Sequence, residues 1–200
     1  MELSEVITSR RSIRKFKEGD ISADTIVQLM EAARCAPSGS NLQPARFIIA
    51  QSAAAKETLG RSTPYKFIVK APVVFVCCAD LSVITTRERR IGELLKEGAF
   101  EGIDIDKNHP TMTNSPMDEE AVKAYLSLNV AIAIEHIVLK AVDLGLGSCW
   151  IGRFDRNQVK ESLSLDDNIF PVMLLPVGYP DQSPNARPRI ALDKLVLKTI

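Results

Sequence analysis

Residues 119–144 hold apolar side chains at nearly every position, among them Leu126, Leu128, Val130, Ile132, Ile134, Ile137, Val138 and Leu144. A helix that is apolar almost all round must be covered, either by its own core or by another subunit. At 1.5 Å per residue it would run ~39 Å, enough to cross a small domain. Asn129, Glu135, His136, Lys140 and Asp143 interrupt it too often for a membrane span. Asp118, Glu119 and Glu120 place negative charge at its start, where the helix dipole favours it. Gly145 is expected to stop it and Gly147 to allow a second tight turn. Ser148-Cys149-Trp150-Ile151-Gly152 follows, a segment with little bulk between glycines, which lets something flat approach the main chain.

The rest of the chain has to cover that helix. Ser4 is a candidate N-cap for a short helix carrying Leu3, Val6 and Ile7. A second helix starts at Ser22 with Ile26, Leu29, Met30 and Ala33 on one face, and ends near Cys35, before Pro37. Residues 46–50 read as a strand, 53–59 as a short helix, 93–100 and 158–163 as further helices, and 192–197 as a polar-flanked tail. Residues 71–79 and 170–177 are continuous apolar runs of strand length, as in strands covered on both faces. Helices alternating with a few buried strands predict a single α+β domain over residues 1–200. Residues 102–117 carry no firm pattern and contain Asn-His-Pro and Asn-Ser-Pro, the composition of a surface segment or lid.

Composition excludes several classes of function. The 200 residues have 25 basic and 25 acidic side chains, so no overall field draws the chain to nucleic acid. With 46% hydrophobic residues the chain is expected to be soluble, and no apolar leader opens it. The four cysteines form no C-x-x-C pair, which fits buried thiols in a reducing cytoplasm. Two histidines, His109 and His136, offer no metal site, so the metal expectation is none. No nucleophile elbow, Walker loop or G-x-G-x-x-G turn is present. What remains is anion recognition: Arg10, Arg11 and Arg14 with Ser12 near one end, Arg187 and Arg189 near the other.

Four segments in order, Arg-Arg-Ser-Ile-Arg-Lys-Phe (10–16), Ala-Pro-Ser-Gly-Ser-Asn-Leu-Gln-Pro (36–44), Gly-Leu-Gly-Ser-Cys-Trp-Ile-Gly (145–152) and Pro-Val-Gly-Tyr-Pro with Arg-Pro-Arg (176–189), resemble the nitroreductase family of FMN enzymes. The resemblance implies a central, mainly antiparallel sheet flanked by helices, in an interlocked homodimer with FMN at the subunit interface. It implies that Arg10, Arg11, Ser12, Arg187 and Arg189 hold the phosphate and ribityl chain, with Arg14 at the pyrimidine edge. Pro37, Ser38, Gly39 and Asn41 would come from the partner subunit, Gln43 supporting their loop. Cys149, Trp150, Ile151 and Gly152 would lie along the ring, a main-chain N–H facing N5. Apart from the resemblance, reading residues 102–117 as a lid makes Phe100 and His109 candidates to contact substrate.

The implied activity is ping-pong transfer of hydride from NADH or NADPH, through flavin N5, to a small acceptor such as a nitroaromatic or quinone. No protein acid–base pair is then needed. Two other readings stay open: a flavin-binding module without turnover, and a specialised branch that dehalogenates or degrades flavin. One departure stands out. Many relatives have Gln-Pro-Trp where this chain has Gln43-Pro44-Ala45.

Overall fold

The apolar run folds as one helix, α5 (Glu119–Asp143), in a computed structural model that describes residues 1–104 and 117–200. Its N-cap is Asp118, whose carboxylate accepts the Ala121 N–H at 2.8 Å. Its C-terminus closes as a Schellman motif. Gly145, at φ +73°, donates to the Val142 carbonyl, and Leu146 donates to Ala141. Leu126, Asn129, Val130, Ala133, Ile134, Ile137, Val138 and Ala141 form its buried face. The other face stays bare: Leu128 is 69% exposed and Ile132 40%.

Contrary to the expectation from its sequence, the polar residues in α5 do not exclude a membrane span, because by length and composition alone the helix would pass for one. Its buried face instead packs on α2 (Ala23–Arg34) and on strand β2 (Val73–Asp80), inside the larger core cluster. Helix α2 begins as expected at Ser22, whose hydroxyl accepts the Thr25 N–H at 3.2 Å.

Among the described residues the sheet has four strands in the order β1-β2-β4-β3, every pair antiparallel. They are β1 (Ala45–Ala50), β2, β3 (Gly147–Ser148) and β4 (Ile169–Gly178). Strand β2 is buried along its whole length, and its alternation explains why its sequence is apolar without a break. Val73, Phe75, Cys77 and Ala79 face α2 and α5. Val74, Val76 and Cys78 face the second cluster, which includes Leu59 of α3 (Ala53–Arg61) and Val159 of α6 (Arg156–Ser162). Cys77 and Cys78 thus sit on opposite faces. Burial pushes the Cys77 thiol well up and the Cys78 thiol up to about 12, so both stay protonated and inert.

Several local expectations need correction. Helix α1 (Leu3–Ser9) starts after Glu2, and Ser4 lies inside it. Helix α4 spans Arg87–Lys96 rather than 93–100. It has no buried residue and is supported by the Arg89–Glu93 and Arg90–Glu93 ion pairs, which an apolar pattern does not register. Gly98 at φ +75° ends that stretch before Phe100. Gly147 makes no turn but belongs to β3, and Cys35 is exposed rather than buried. The 192–197 tail contains one short helix, α7 (Leu192–Leu195), with no buried residue.

Candidate functional site

Two chain segments some 170 positions apart meet because a short arm is stitched to both sides of the sheet's end. Arg10 closes α1, and residues 11–17 then run as an extended arm. Ser12 bridges Ser148, and the Ile13 N–H donates to the Ser148 carbonyl at 2.9 Å. Gly147 permits this approach, since a Cβ there would lie 2.4 Å from Ile13 Cγ1. On the arm's far end Phe16 bridges Pro180, Lys17 N–H donates to Tyr179, and Asp181 N–H donates to Lys15. A Lys15–Asp181 ion pair at 2.7 Å adds to this seam. The chain leaving β4 is therefore carried back beside the arm, which sets Arg187 and Arg189 next to Arg10, Arg11 and Arg14.

These five arginines and Ser12 line one cavity of about 510 Å³, together with Thr8 and Asn185. No acidic side chain among the described residues lines it. Among the described residues the arginines hydrogen-bond only to main-chain carbonyls: Arg11 to Thr8 and Arg10, Arg14 to Ser12, Arg189 to Arg187 and Pro188. None of the five guanidinium groups is in salt-bridge contact with a carboxylate among the described residues, so they repel one another across the cavity, and an anion of the size and acceptor capacity of a phosphate relieves this. The donor set and the volume fit the phosphate end of a nucleotide-like cofactor.

Arg14 also lines a second, smaller pocket of about 150 Å³ with Tyr65, Phe67, Cys149, Trp150, Ile151, Gly152 and Arg153. The basic cavity thus passes, through Arg14, into a pocket walled by aromatic side chains and a slim main chain. Burial raises the Cys149 thiol, against the pull of Arg14 and Arg10 and a hydrogen bond to Ser12. Behind the cradle lies Glu135 of α5. Burial raises its carboxyl, while Arg10, a hydrogen bond to Trp150 and His136 pull the other way. Sequence reading named Arg10 but not this carboxylate. It also missed Phe67 and Arg153 as pocket walls.

The amide-rich loop is placed elsewhere. Pro37, Ser38 and Gln43 line a separate cavity of about 280 Å³ with Met30, Arg46, Phe47 and Asn129. Ala45 lines it too, at the place where an aromatic is absent. Ser40, Asn41 and Gln43 all have φ near +50°, the left-handed region that side chains disfavour. The strain is held by a close set of bonds. Ser38 Oγ accepts the Gln43 N–H at 2.9 Å, and Gln43 Nε2 donates to Asn41 Oδ1 at 3.1 Å. Asn129 Oδ1 accepts the Gly39 N–H at 2.7 Å, while its Nδ2 donates to the Tyr125 carbonyl at 2.8 Å. Gly39 leaves room for Tyr125 here: a Cβ would lie 2.0 Å from the Tyr125 hydroxyl, so any larger residue would require that side chain to move. Phe100 is half-buried in the turn after α4, a helix that packs against the Gly39–Asn41 turn. His109 and most of the expected lid lie outside the described residues.

Comparison with known proteins shows the family of the chain. A sequence model of the nitroreductase family matches residues 7–179. A Thermus thermophilus protein named NADH dehydrogenase is 30% identical over 94% of this chain and 91% of its own length. A nitroreductase family protein from Clostridium novyi has the same fold, with a TM-score of 0.68 and 30% identity over 94% of this chain and 89% of that one. A protein of Exiguobacterium sibiricum, named as a nitroreductase and solved in complex with FMN, aligns over 100% of this chain and 98% of its own at a TM-score of 0.81 and 23% identity. The chain belongs to the nitroreductase family.

Proposed function

We propose that this protein is an FMN-dependent NAD(P)H oxidoreductase that works as a homodimer. The cavity of five arginines, with no acidic lining among the described residues and opening through Arg14 into an aromatic-walled pocket, carries the reading. Arg10, Arg11, Ser12, Arg187 and Arg189 hold the phosphate and ribityl end. Arg14 sits at the pyrimidine edge, where its charge favours negative charge on the ring. The main chain of Cys149 to Gly152 lies along the ring, and Trp150 backs it. FMN held by these residues would supply the hydride chemistry between NADH or NADPH and a small nitroaromatic or quinone. The chain's own part is to bind, orient and shield. The Thermus relative's name and the Exiguobacterium complex support the redox class and the cofactor respectively.

Pro37, Ser38, Gly39, Asn41 and Gln43 reach the flavin of the second subunit in this reading. Within one chain their loop faces a different cavity from the basic cradle. Three features support a second copy. The bare apolar face of α5 presents Leu128 and Ile132. The 190–200 tail exposes Ile190, Leu192, Leu195, Val196, Leu197 and Ile200. The outer edge of β1 has no strand beside it among the described residues.

The test is direct. Purified protein should be yellow, should bind FMN far more tightly than riboflavin, and should bleach anaerobically with NADH or NADPH. A colourless protein that ignores added FMN overturns the reading. A yellow protein that neither nucleotide bleaches leaves only a flavin-binding module.

A further inference from the structure

The pocket that would take the flavin ring along Cys149 to Gly152 also holds, beside its aromatic wall, a charge that the flavin contacts proposed above leave unused. Arg153 follows Gly152 and lines that pocket with Arg14, Tyr65 and Phe67. Its main chain is fixed, since its carbonyl accepts the hydroxyl of buried Thr63 at 2.9 Å. Two residues on, the Asp155 N–H donates to the Ser62 carbonyl at 2.8 Å. These bonds staple segment 62–65 to segment 153–155, so Tyr65 and Arg153 are held at one pocket. The guanidinium itself has no hydrogen bond or ion pair among the described residues, Arg153 being tied only through its carbonyl. The next acid in sequence, Asp155, is engaged at the start of α6, accepting the Gln158 N–H at 3.0 Å. Among the described residues no acidic side chain lines the pocket. The Tyr65 and Phe67 rings lie 6.3 Å apart and tilted by 47°, forming an aromatic wall whose outer member is 41% exposed.

An unpaired guanidinium beside an aromatic wall suits a planar ring bearing a carboxylate. We infer that Arg153 is a specificity-determining residue that selects aromatic electron acceptors carrying a carboxylate. The acceptor's ring lies against Tyr65 and Phe67, and its carboxylate meets Arg153. This rests on the flavin reading above. For a nitro acceptor the overall step is Ar–NO2 + NAD(P)H + H+ → Ar–NO + NAD(P)+ + H2O. One N–O bond breaks, the nicotinamide is oxidised by loss of hydride, and the oxygen leaves as water. The carboxylate takes no part, so its charge reads out binding alone.

The experiment compares para-nitrobenzoate with para-nitrobenzyl alcohol on the FMN-loaded enzyme. The readout is the ratio of their kcat/KM values, in which any general loss of folding cancels. Non-reducible benzoate, titrated into oxidised enzyme and followed by the flavin absorbance, gives binding without turnover. Arg153→Gln should lower the ratio by about tenfold and weaken benzoate to a similar degree, as a charge-assisted contact at a solvent-facing mouth contributes. Arg153→Lys should keep most of both. A wild-type ratio near one, or a ratio and benzoate affinity untouched in Arg153→Gln, overturns the inference. So does a loss confined to the KM for NADPH with NADH unaffected, which would assign Arg153 to a nucleotide phosphate. A yellow, bleachable enzyme with an unchanged ratio sinks this inference alone, whereas a colourless protein sinks the flavin reading with it.

Discussion

At the chain ends, five arginines line one cavity with exposed or half-exposed side chains and only main-chain carbonyls as partners. The 37–43 loop is built the other way. It holds three residues in the left-handed region and anchors Gly39 to Asn129 on α5. Coulomb attraction falls off slowly with distance, so a cradle of flexible guanidinium groups tolerates loose geometry. A main-chain donor works only at hydrogen-bond distance, so a loop that presents its backbone must be fixed beforehand. The cradle is complete in one chain, whereas the loop's proposed target lies in the second. Asn129, which fixes the loop, shares α5 with the bare Leu128 and Ile132. Loop geometry and the proposed subunit contact would therefore be coupled through one helix.

The largest expected effect breaks that coupling. Ile132→Glu places an unpaired carboxylate on the proposed contact face, at a cost of several kcal/mol to association. The dimer dissociation constant should rise roughly 1,000-fold. Sedimentation should show a monomer, and the monomer should lose its FMN although every arginine remains. A monomer that keeps full FMN would show that the cradle alone suffices and that the loop is no part of the site.

Next come the cradle arginines. Arg10→Ala or Arg189→Ala removes a charge-assisted contact of about 1.5–3 kcal/mol. FMN affinity should fall about tenfold to a hundredfold, while riboflavin affinity, lacking the phosphate, should hardly move. Asn129→Leu should act on the other term. It leaves the Gly39 N–H without its acceptor, a loss of about 1–3 kcal/mol felt by the loop. FMN and riboflavin should then weaken together, by about tenfold, and their ratio should stay near the wild-type value. If Asn129→Leu changed that ratio as Arg10→Ala does, the two regions would not be separable in the way the geometry suggests.

The sequence carries the cradle more openly than the loop, for a physical reason. An arginine states its chemistry wherever it stands, and apolar runs as pure as β2 and α5 announce their burial through period and length alone. The same signal explains why Ser22 and Asp118 are readable as the starts of their helices. The loop's conformation depends on partners far along the chain. Gly39 leaves room for Tyr125, which stands over it, and no local pattern shows a contact between positions so distant. β3 is two residues long and exists through its register with β4 and its bridge to the arm at Ser12, so it has no periodicity to find. Gly147 looked like a turn because its real constraint, the Ile13 side chain, is supplied by the arm. Helix α4 has no buried residue and was displaced for the same reason, its support being ionic rather than apolar.

The smallest expected effect asks whether the loop's strain serves binding or is incidental. Ser40 has φ +51° and its side chain makes no hydrogen bond among the described residues, so only the backbone there is at issue. Relieving a left-handed non-glycine residue gains roughly 1–2 kcal/mol. Glycine's greater freedom in the unfolded chain removes roughly 0.5–1 kcal/mol of that gain. Ser40→Gly should therefore raise stability slightly, by up to about 1 kcal/mol, in chemical denaturation of the FMN-free protein. The bonds from Ser38 to Gln43 and from Asn129 to Gly39 still hold the loop on either side of position 40. FMN affinity should then change by less than about threefold, because the conformation is retained and only its cost falls. A marked loss of FMN with improved stability would mean that glycine lets the loop leave its bound form. Ser40 would then belong with Asn129 among the residues that fix the loop.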